Sequence, residues 1–290
     1  MKNFVETLRL ENILSQSPIP YKGRNFEDVY SELINRGDGG SLIQEIEKAV
    51  FDYFASLRLP SLPTLYDHLL LSLRPKDAVA TFNWDPFLLD AALRIDSFAS
   101  LPHIVFLHGN VAIGYCVKHR EKGRPGASCS KCNSPFAPSK LLFPIKKKDY
   151  QSDIAIRREW REACNGFKRA FVVTIFGYGA PRTDTGAVSL FSRAWGRAET
   201  RNFEEMEFID TASEDVLRER WSKFIHTHHY TSYSDFYDSL LGQHPRRSCE
   251  AVWWRTQKLQ LFEPDPVSRK ASFGQLQDWV ARYIAFEEKP

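Results

Sequence analysis

The chain has 290 residues, the size of one large domain or of a domain with a sizeable appendage, and long enough to bury a full core. Hydrophobic residues make up 43%, aromatic residues 13% and charged residues 26%, which excludes global disorder. Lys and Arg number 39 against 36 Asp and Glu, an excess too small to require nucleic acid or a membrane surface as partner.

The N-terminal quarter reads as helical. Apolar residues recur three and four apart at Phe4 and Leu8, Phe26 to Leu33, Leu42 to Phe54 and Tyr66 to Leu73, and Pro18, Pro20, Gly37 to Gly40, Pro60 and Pro63 divide them into several helices. Glu6 and Glu11 lie inside the first amphipathic stretch, against a signal peptide. No apolar run approaches the roughly 20 residues that span a bilayer. These features predict a cytoplasmic chain with no membrane partner. Residues 1–73 are expected to form a helical segment packed on the core.

The period then changes. Ala78 to Phe82 and His103 to His108 are short apolar runs bounded by turn residues, with the helical PFLLDAALRI between them, a strand, helix, strand unit. Residues 114–138 are rich in Lys, Arg, Ser, Gly and Pro and cannot build a core alone. A helix around Ile154 to Cys164, a strand from Ala170 to Phe176, a helix from Thr185 to Trp195, a strand from Glu205 to Asp210 and a helix from Ser213 to Phe224 follow. Such alternation predicts an α/β fold with a Rossmann-like parallel sheet spanning 74–224 and a zinc ribbon inserted at 114–138. Residues 225–290 read as a helical C-terminal segment, with helices around Ser234 to Leu241, Ser248 to Leu261 and Phe273 to Phe286.

Cys116-Val-Lys-His119 and Cys129-Ser-Lys-Cys132 are two knuckles, each offering two ligands. Together they can close a tetrahedron around zinc, and four protein ligands leave no open position, which favours a structural over a catalytic metal. His119 is the least constrained of the four. Five cysteines with three in this stretch point to metal binding in a reducing compartment and not to disulfides; Cys164 and Cys249 read as core thiols.

Thr81-Phe-Asn83-Trp-Asp85-Pro86 ends the first strand, where open α/β sheets place their ligands. Asp85 before Pro86 has two readings, a helix cap or a functional carboxylate; Asn83 can both donate and accept hydrogen bonds. His108-Gly109-Asn110 ends the next strand, and a histidine there suits general-base work if it shares the crevice with Asn83. His226-Thr-His228-His229-Tyr230 has no further ligand at knuckle spacing and is expected to be a strand or loop. His244-Pro-Arg246-Arg247 with Trp253 and Trp254 could bind bases or phosphate, though packing is the commoner role.

The order Thr81, Asn83, Asp85, His108, Gly109 and Cys116 resembles the sirtuin family. Gly177-Tyr178-Gly179-Ala180 is similar to that family's later glycine turn, and Asp210 to its strand end beside the adenosine half of NAD. The match covers roughly Ala78 to Thr211. FNWDPFLLDA with FGYGAPRTD looks closer to the bacterial sirtuin-like proteins of antiphage defence, which cleave NAD. The resemblance implies NAD as substrate and a structural zinc. It implies catalytic roles for Asn83, His108 and Asp85, and NAD contacts from Thr81, Gly177, Tyr178, Gly179 and Asp210. The family's N-terminal strand with its G-A-G-x-S type loop has no counterpart; Gly37 to Gly40 follows a helix and reads as a loop. The expected function is therefore that of an NAD glycohydrolase, working in a homo-oligomer. The alternatives are a non-catalytic subunit beside a HerA-type ATPase, or a nucleic-acid binder using Lys118, Lys122, Arg124 and Lys131 on the ribbon.

Overall fold

The computed structural model describes residues 4–37, 39–143, 145, 148–180, 184–197, 201, 203–222, 224–225 and 229–287. Residues 4–73 carry helices α1 (Phe4–Thr7), α2 (Glu11–Leu14), α3 (Phe26–Arg36), α4 (Gly40–Ser56) and α5 (Leu65–Leu71). Asn25 caps α3 by accepting from the Glu27 amide, and Gly37 ends it at φ +74°, a left-handed position that glycine occupies without penalty. The Gly37 to Gly40 stretch is thus the joint between α3 and α4, as expected of a loop, with residue 38 outside the described set. The apolar stripes of α1 to α4 meet one another and also Val111, Leu141 and Phe143, so this helical segment packs on the chain that follows the second strand.

Strand β1 (Ala78–Thr81), helix α6 (Phe87–Ile95) and strand β2 (His103–Phe106) form the expected unit, with β1 and β2 parallel and Ala78 opposite His103. The ribbon comprises β3 (Gly114–Cys116), β4 (Glu121–Gly123) and β5 (Ala137–Pro138), an antiparallel sheet with β3 at its centre. Helix α7 (Ile154–Arg169) leads to β6 (Val172–Phe176). Helix α8 (Thr185–Trp195), strand β7 (Glu205–Ile209), helix α9 (Glu214–Arg220) and strand β8 (Tyr230–Tyr233) follow. Strands β6, β7 and β8 lie parallel in that order.

The fold is α/β with parallel strands and an inserted ribbon, as the sequence implies. It differs from the expectation in that the parallel strands form two sheets, β1 with β2 and β6 with β7 and β8, in place of one, and in that β8 extends the second sheet from within residues 225–290, which were expected to be helical. Both sheets share the same apolar layer beneath α7 and α8, where Val105 and Leu107 meet Trp160, Val173, Phe191 and Phe208. Helix α9 stops at Arg220, short of the expected Phe224.

The remaining elements are a 3-10 turn (Phe236–Asp238), α10 (Leu240–Gln243), α11 (Ser248–Trp253) and α12 (Phe273–Glu287). A π-helical turn, Trp254–Lys258, follows α11 and ends at exposed Leu259 with φ +52°. Helix α12 buries Leu276, Trp279 and Val280 with α5 and α6. Among the described residues no helix is long and apolar enough to cross a membrane.

Candidate active site and metal centre

The four knuckle residues converge. Cys116, His119, Cys129 and Cys132 offer one ligand atom each, all within 4.8 Å of one another. The Cys116 and Cys132 sulfurs are 3.6 Å apart, and His119 Nδ1 lies 3.7 Å from Cys116 Sγ and 3.5 Å from Cys129 Sγ. A zinc–sulfur bond near 2.3 Å sets tetrahedral sulfur–sulfur edges of about 3.8 Å, so the donor set fits a structural zinc. Both knuckles turn in the same way. The Arg120 amide donates to the Cys116 carbonyl at 2.7 Å and the Asn133 amide to the Cys129 carbonyl at 2.8 Å, and Arg120 and Asn133 each take φ +57°.

The ribbon is fastened to the core through Glu159 of α7, whose side chain is fully buried. It accepts from the Phe106 amide at 2.8 Å and pairs with Lys122 of β4 at 3.0 Å. Lys131 pairs with Glu121 at 2.8 Å. Two of the four ribbon cations singled out for nucleic-acid binding are thus already neutralised.

The ends of β1 and β2 come together through Asn110, which spacing alone did not single out as a functional residue. Its amide nitrogen donates to the Asp85 carbonyl at 2.6 Å and the Asn83 carbonyl at 3.4 Å, while its oxygen accepts from the Ala112 amide at 2.9 Å. A buried Asn with both ends satisfied locks two loops in register. Thr81 Oγ1 accepts from the Asn83 amide at 3.1 Å, leaving the Asn83 side chain exposed.

Asp85 accepts from the Phe87 amide at 3.1 Å, but the N-cap of α6 is Pro86 and not Asp85; burial holds the Asp85 carboxyl above the usual range.

His108 sits deeper than a crevice residue. Its side chain is buried with the residue 6% exposed, beneath the Phe82 ring at 4.7 Å and alongside Tyr150 at 6.1 Å between centroids. Nε2 is buried with no hydrogen-bond partner among the described residues. Burial, reinforced by the positive charge of Lys148, depresses its pKa to about 3, so the imidazole is neutral near pH 7 with a lone pair available. The next residue, Gly109, takes φ +79°, and a Cβ there would stand 2.0 Å from the Lys140 carbonyl oxygen. Only glycine lets the 139–142 segment pass over this turn.

The cover over His108 comes from the turn after β6. Tyr178 stacks on Phe82 at 4.1 Å and donates to Asp184 at 3.0 Å. Asp184 is ion-paired with Lys148, both side chains being buried. Phe82, Lys148 and Asp184 join the site only through these long-range contacts.

Gly177 has φ +61° with open space where a side chain would stand. Its amide donates to the Ile209 carbonyl at 2.9 Å, bringing it beside Asp210. Asp210 accepts from the Ala212 amide at 2.9 Å and lies 3.6 Å from Arg220, whose guanidinium also approaches the Gly179 position. Gly177, Gly179, Asp210 and Arg220 therefore form one polar corner at the C-terminal ends of β6 and β7. Residues 181–183 of the FGYGAPRTD stretch lie outside the described residues, as do 226–228 of the histidine cluster.

In the C-terminal motif, Arg246 is buried against Glu287 at 2.6 Å and the Leu73 carbonyl at 2.8 Å. Arg247 lies over the Phe262 and Phe286 rings. These arginines pack the C-terminal segment. Trp253 and Trp254 stay partly exposed.

No family model matches the chain, and no curated protein matches it. Among solved structures it is similar to a Sir2 in complex with an inhibitor, 2'-O-acetyl-ADP-ribose and a deacetylated peptide. That match has 18% identity over 89% of this chain and 98% of the other, at a TM-score of 0.37. A Sir2 homologue mutant bound to ADP-ribose matches at 14% identity over 87% and 92%, with a TM-score of 0.43. A Sir2 homologue–NAD complex matches at 15% over 86% and 87%, with a TM-score of 0.38. At these identities and scores the likeness assigns no residue a role.

Proposed function

We propose that this chain is a sirtuin-like NAD-cleaving protein of bacterial antiphage defence, in which His108 is the general base and Asn83 orients water or the nicotinamide ribose. The observation that carries the reading is a neutral histidine with an unpartnered Nε2, placed at a parallel strand end beside a second strand end that carries an exposed Asn83. Departure of nicotinamide breaks the bond between ribose C1′ and the pyridinium nitrogen, the bonding pair leaving with nicotinamide. A water oxygen then bonds to C1′ and gives its proton to His108 Nε2, in a transition state that resembles an oxocarbenium ion. Thr81 and Asn83 would lie at the nicotinamide ribose. Gly177 and Gly179 leave backbone open to phosphate, and Asp210 would accept from adenosine ribose hydroxyls. Asp85 serves as a positioning residue through the start of α6. Zinc holds the ribbon and supplies no chemistry to the reaction.

A second reading is favoured by the cover of Phe82, Tyr178 and Tyr150 on His108: a non-catalytic subunit that assembles with itself or with a HerA-type ATPase. Nicotinamide release from NAD separates the two. Under the first reading Asn83→Ala abolishes release while the melting temperature is kept, because the Asn83 side chain is exposed. Release unchanged in that variant would remove Asn83 and the catalytic reading with it.

A further inference from the structure

We propose that the C-terminal segment holds a binding site for a free α-amino acid with an apolar side chain, in a cavity where the Arg247 guanidinium takes the carboxylate and Glu263 the ammonium. The cavity measures about 250 Å³ and lies between the corner that joins α10 to α11, the chain around Phe262 and the last turns of α12. It is smaller than the about 300–1,000 Å³ of sites for drug-sized ligands, which limits the occupant to a small metabolite. Its walls are fixed. Arg246 is buried in an ion pair with Glu287 at 2.6 Å, and the Asp265 amide donates to the Gln243 carbonyl at 3.0 Å, so contacts beside the lining residues tie the three elements together.

Arg247 is a cation of this cavity that lacks a counterion. Its Cζ lies 4.4 Å from the Phe262 ring centroid and 5.5 Å from that of Phe286. Its Nε is buried without a hydrogen-bond partner, and the side chain makes no hydrogen bond or ion pair among the described residues. A guanidinium stacked on rings keeps its N–H fork for an acceptor in its own plane, and a carboxylate fills such a fork with two parallel hydrogen bonds. The carboxylates of the cavity differ from each other. Asp265 accepts from the Tyr283 hydroxyl at 2.8 Å and lies 3.4 Å from Arg282, so it is engaged. Glu263 is exposed, and its carboxylate has no partner among the described residues. Burial holds the His244 imidazole below its ordinary range, so it is neutral near pH 7 and adds no charge.

The two unpaired charges specify the occupant. A plain carboxylate would leave Glu263 facing an anion, and a plain amine would leave Arg247 facing a cation. A zwitterion answers both and meets no like charge. The rest of the lining includes Pro245, Phe262 and Phe286, the last 61% exposed and so open to solvent, which calls for an apolar third substituent. A carboxylate, an ammonium and an apolar group on one small molecule are those of a free amino acid. A residue within a polypeptide carries neither backbone charge, and a chain terminus carries only one. None of these residues belongs to the NAD reading, and the site stands apart from it.

Calorimetry on the full chain tests it with L-phenylalanine, beside 3-phenylpropanoate, which lacks the ammonium, and phenethylamine, which lacks the carboxylate. L-Phenylalanine should bind with a Kd of about 1 mM or tighter, and each analogue at least ~10-fold more weakly through the loss of one charge-assisted contact. Glu263→Gln removes an exposed charge, so it should melt like the parent and bind L-phenylalanine no better than 3-phenylpropanoate. Arg247→Met should abolish binding of all three; if that variant melts early because the Phe262 and Phe286 packing is disturbed, Glu263→Gln decides alone. No saturable heat with L-phenylalanine would overturn the proposal. So would 3-phenylpropanoate binding as tightly as the amino acid, which would make this a plain anion site, or a Glu263→Gln chain that still prefers the amino acid.

Discussion

His108 and Glu207 are buried titratable groups that oppose each other in pH. Burial holds His108 down to about 3, so as pH falls from about 6.5 the unfolded chain takes a proton that the folded chain refuses, and stability drops. Burial pushes Glu207 up to about 7 even though Thr174 donates to it at 2.7 Å and the Leu240 amide donates as well. As pH rises from about 4.5 to 7 the unfolded carboxyl ionises first, and stability again drops. Glu207→Gln keeps an oxygen for the Leu240 amide and an N–H for Thr174 Oγ1. It should remove the loss between pH 4.5 and 7, a gain of up to roughly 3 kcal/mol at neutral pH, read from denaturation midpoints across that range; an unchanged pH profile would show that Glu207 ionises normally. Gly109→Ala should cost about 2–4 kcal/mol in the same assay, because it combines a left-handed backbone position with a clash against the Lys140 carbonyl. A variant as stable as the parent would mean that the 139–142 segment is free to move aside.

At the scale of elements, the ribbon depends on metal. It buries little beyond Tyr115, Cys116, Cys129 and Phe136, so ligand bonds must supply its stability. Metal analysis should find one zinc per chain, and Cys129→Ser should leave less than half an equivalent and open residues 114–138 to proteolysis. An intact, protease-resistant ribbon without zinc would contradict this. The knuckles were legible in the sequence because ligand spacing is local, and β1, β2, β6 and β7 were legible as apolar runs between turn residues. Strand β8 was not, since Tyr230–Tyr233 is a polar and aromatic stretch whose pairing with β7 is set by tertiary contacts. Asn110 and the closure of Tyr178, Asp184 and Lys148 over His108 were invisible for the same reason: each joins residues far apart in the chain. The open crevice expected around His108 is replaced by a covered one, because Phe82 and Tyr178 stack where β1 and β6 end.

At the scale of the whole molecule, the split between the parallel sheets and the cover over His108 point in one direction. Pyrophosphate carries two negative charges that call for backbone N–H groups at a helix N-terminus, and among the described residues before β1 only helices α1 to α5 occur, with no strand that ends in a glycine loop. NAD should therefore bind weakly to this chain alone and gain affinity within an assembly; tight binding by a monomer in calorimetry would contradict that. The most direct measurement is nicotinamide release from millimolar NAD by the purified chain, followed beside Asn83→Ala and His108→Gln. Slow release by the parent that disappears in both variants, with the Asn83→Ala melting temperature unchanged, is the result the account predicts. Release that persists within a few-fold in both variants would contradict it.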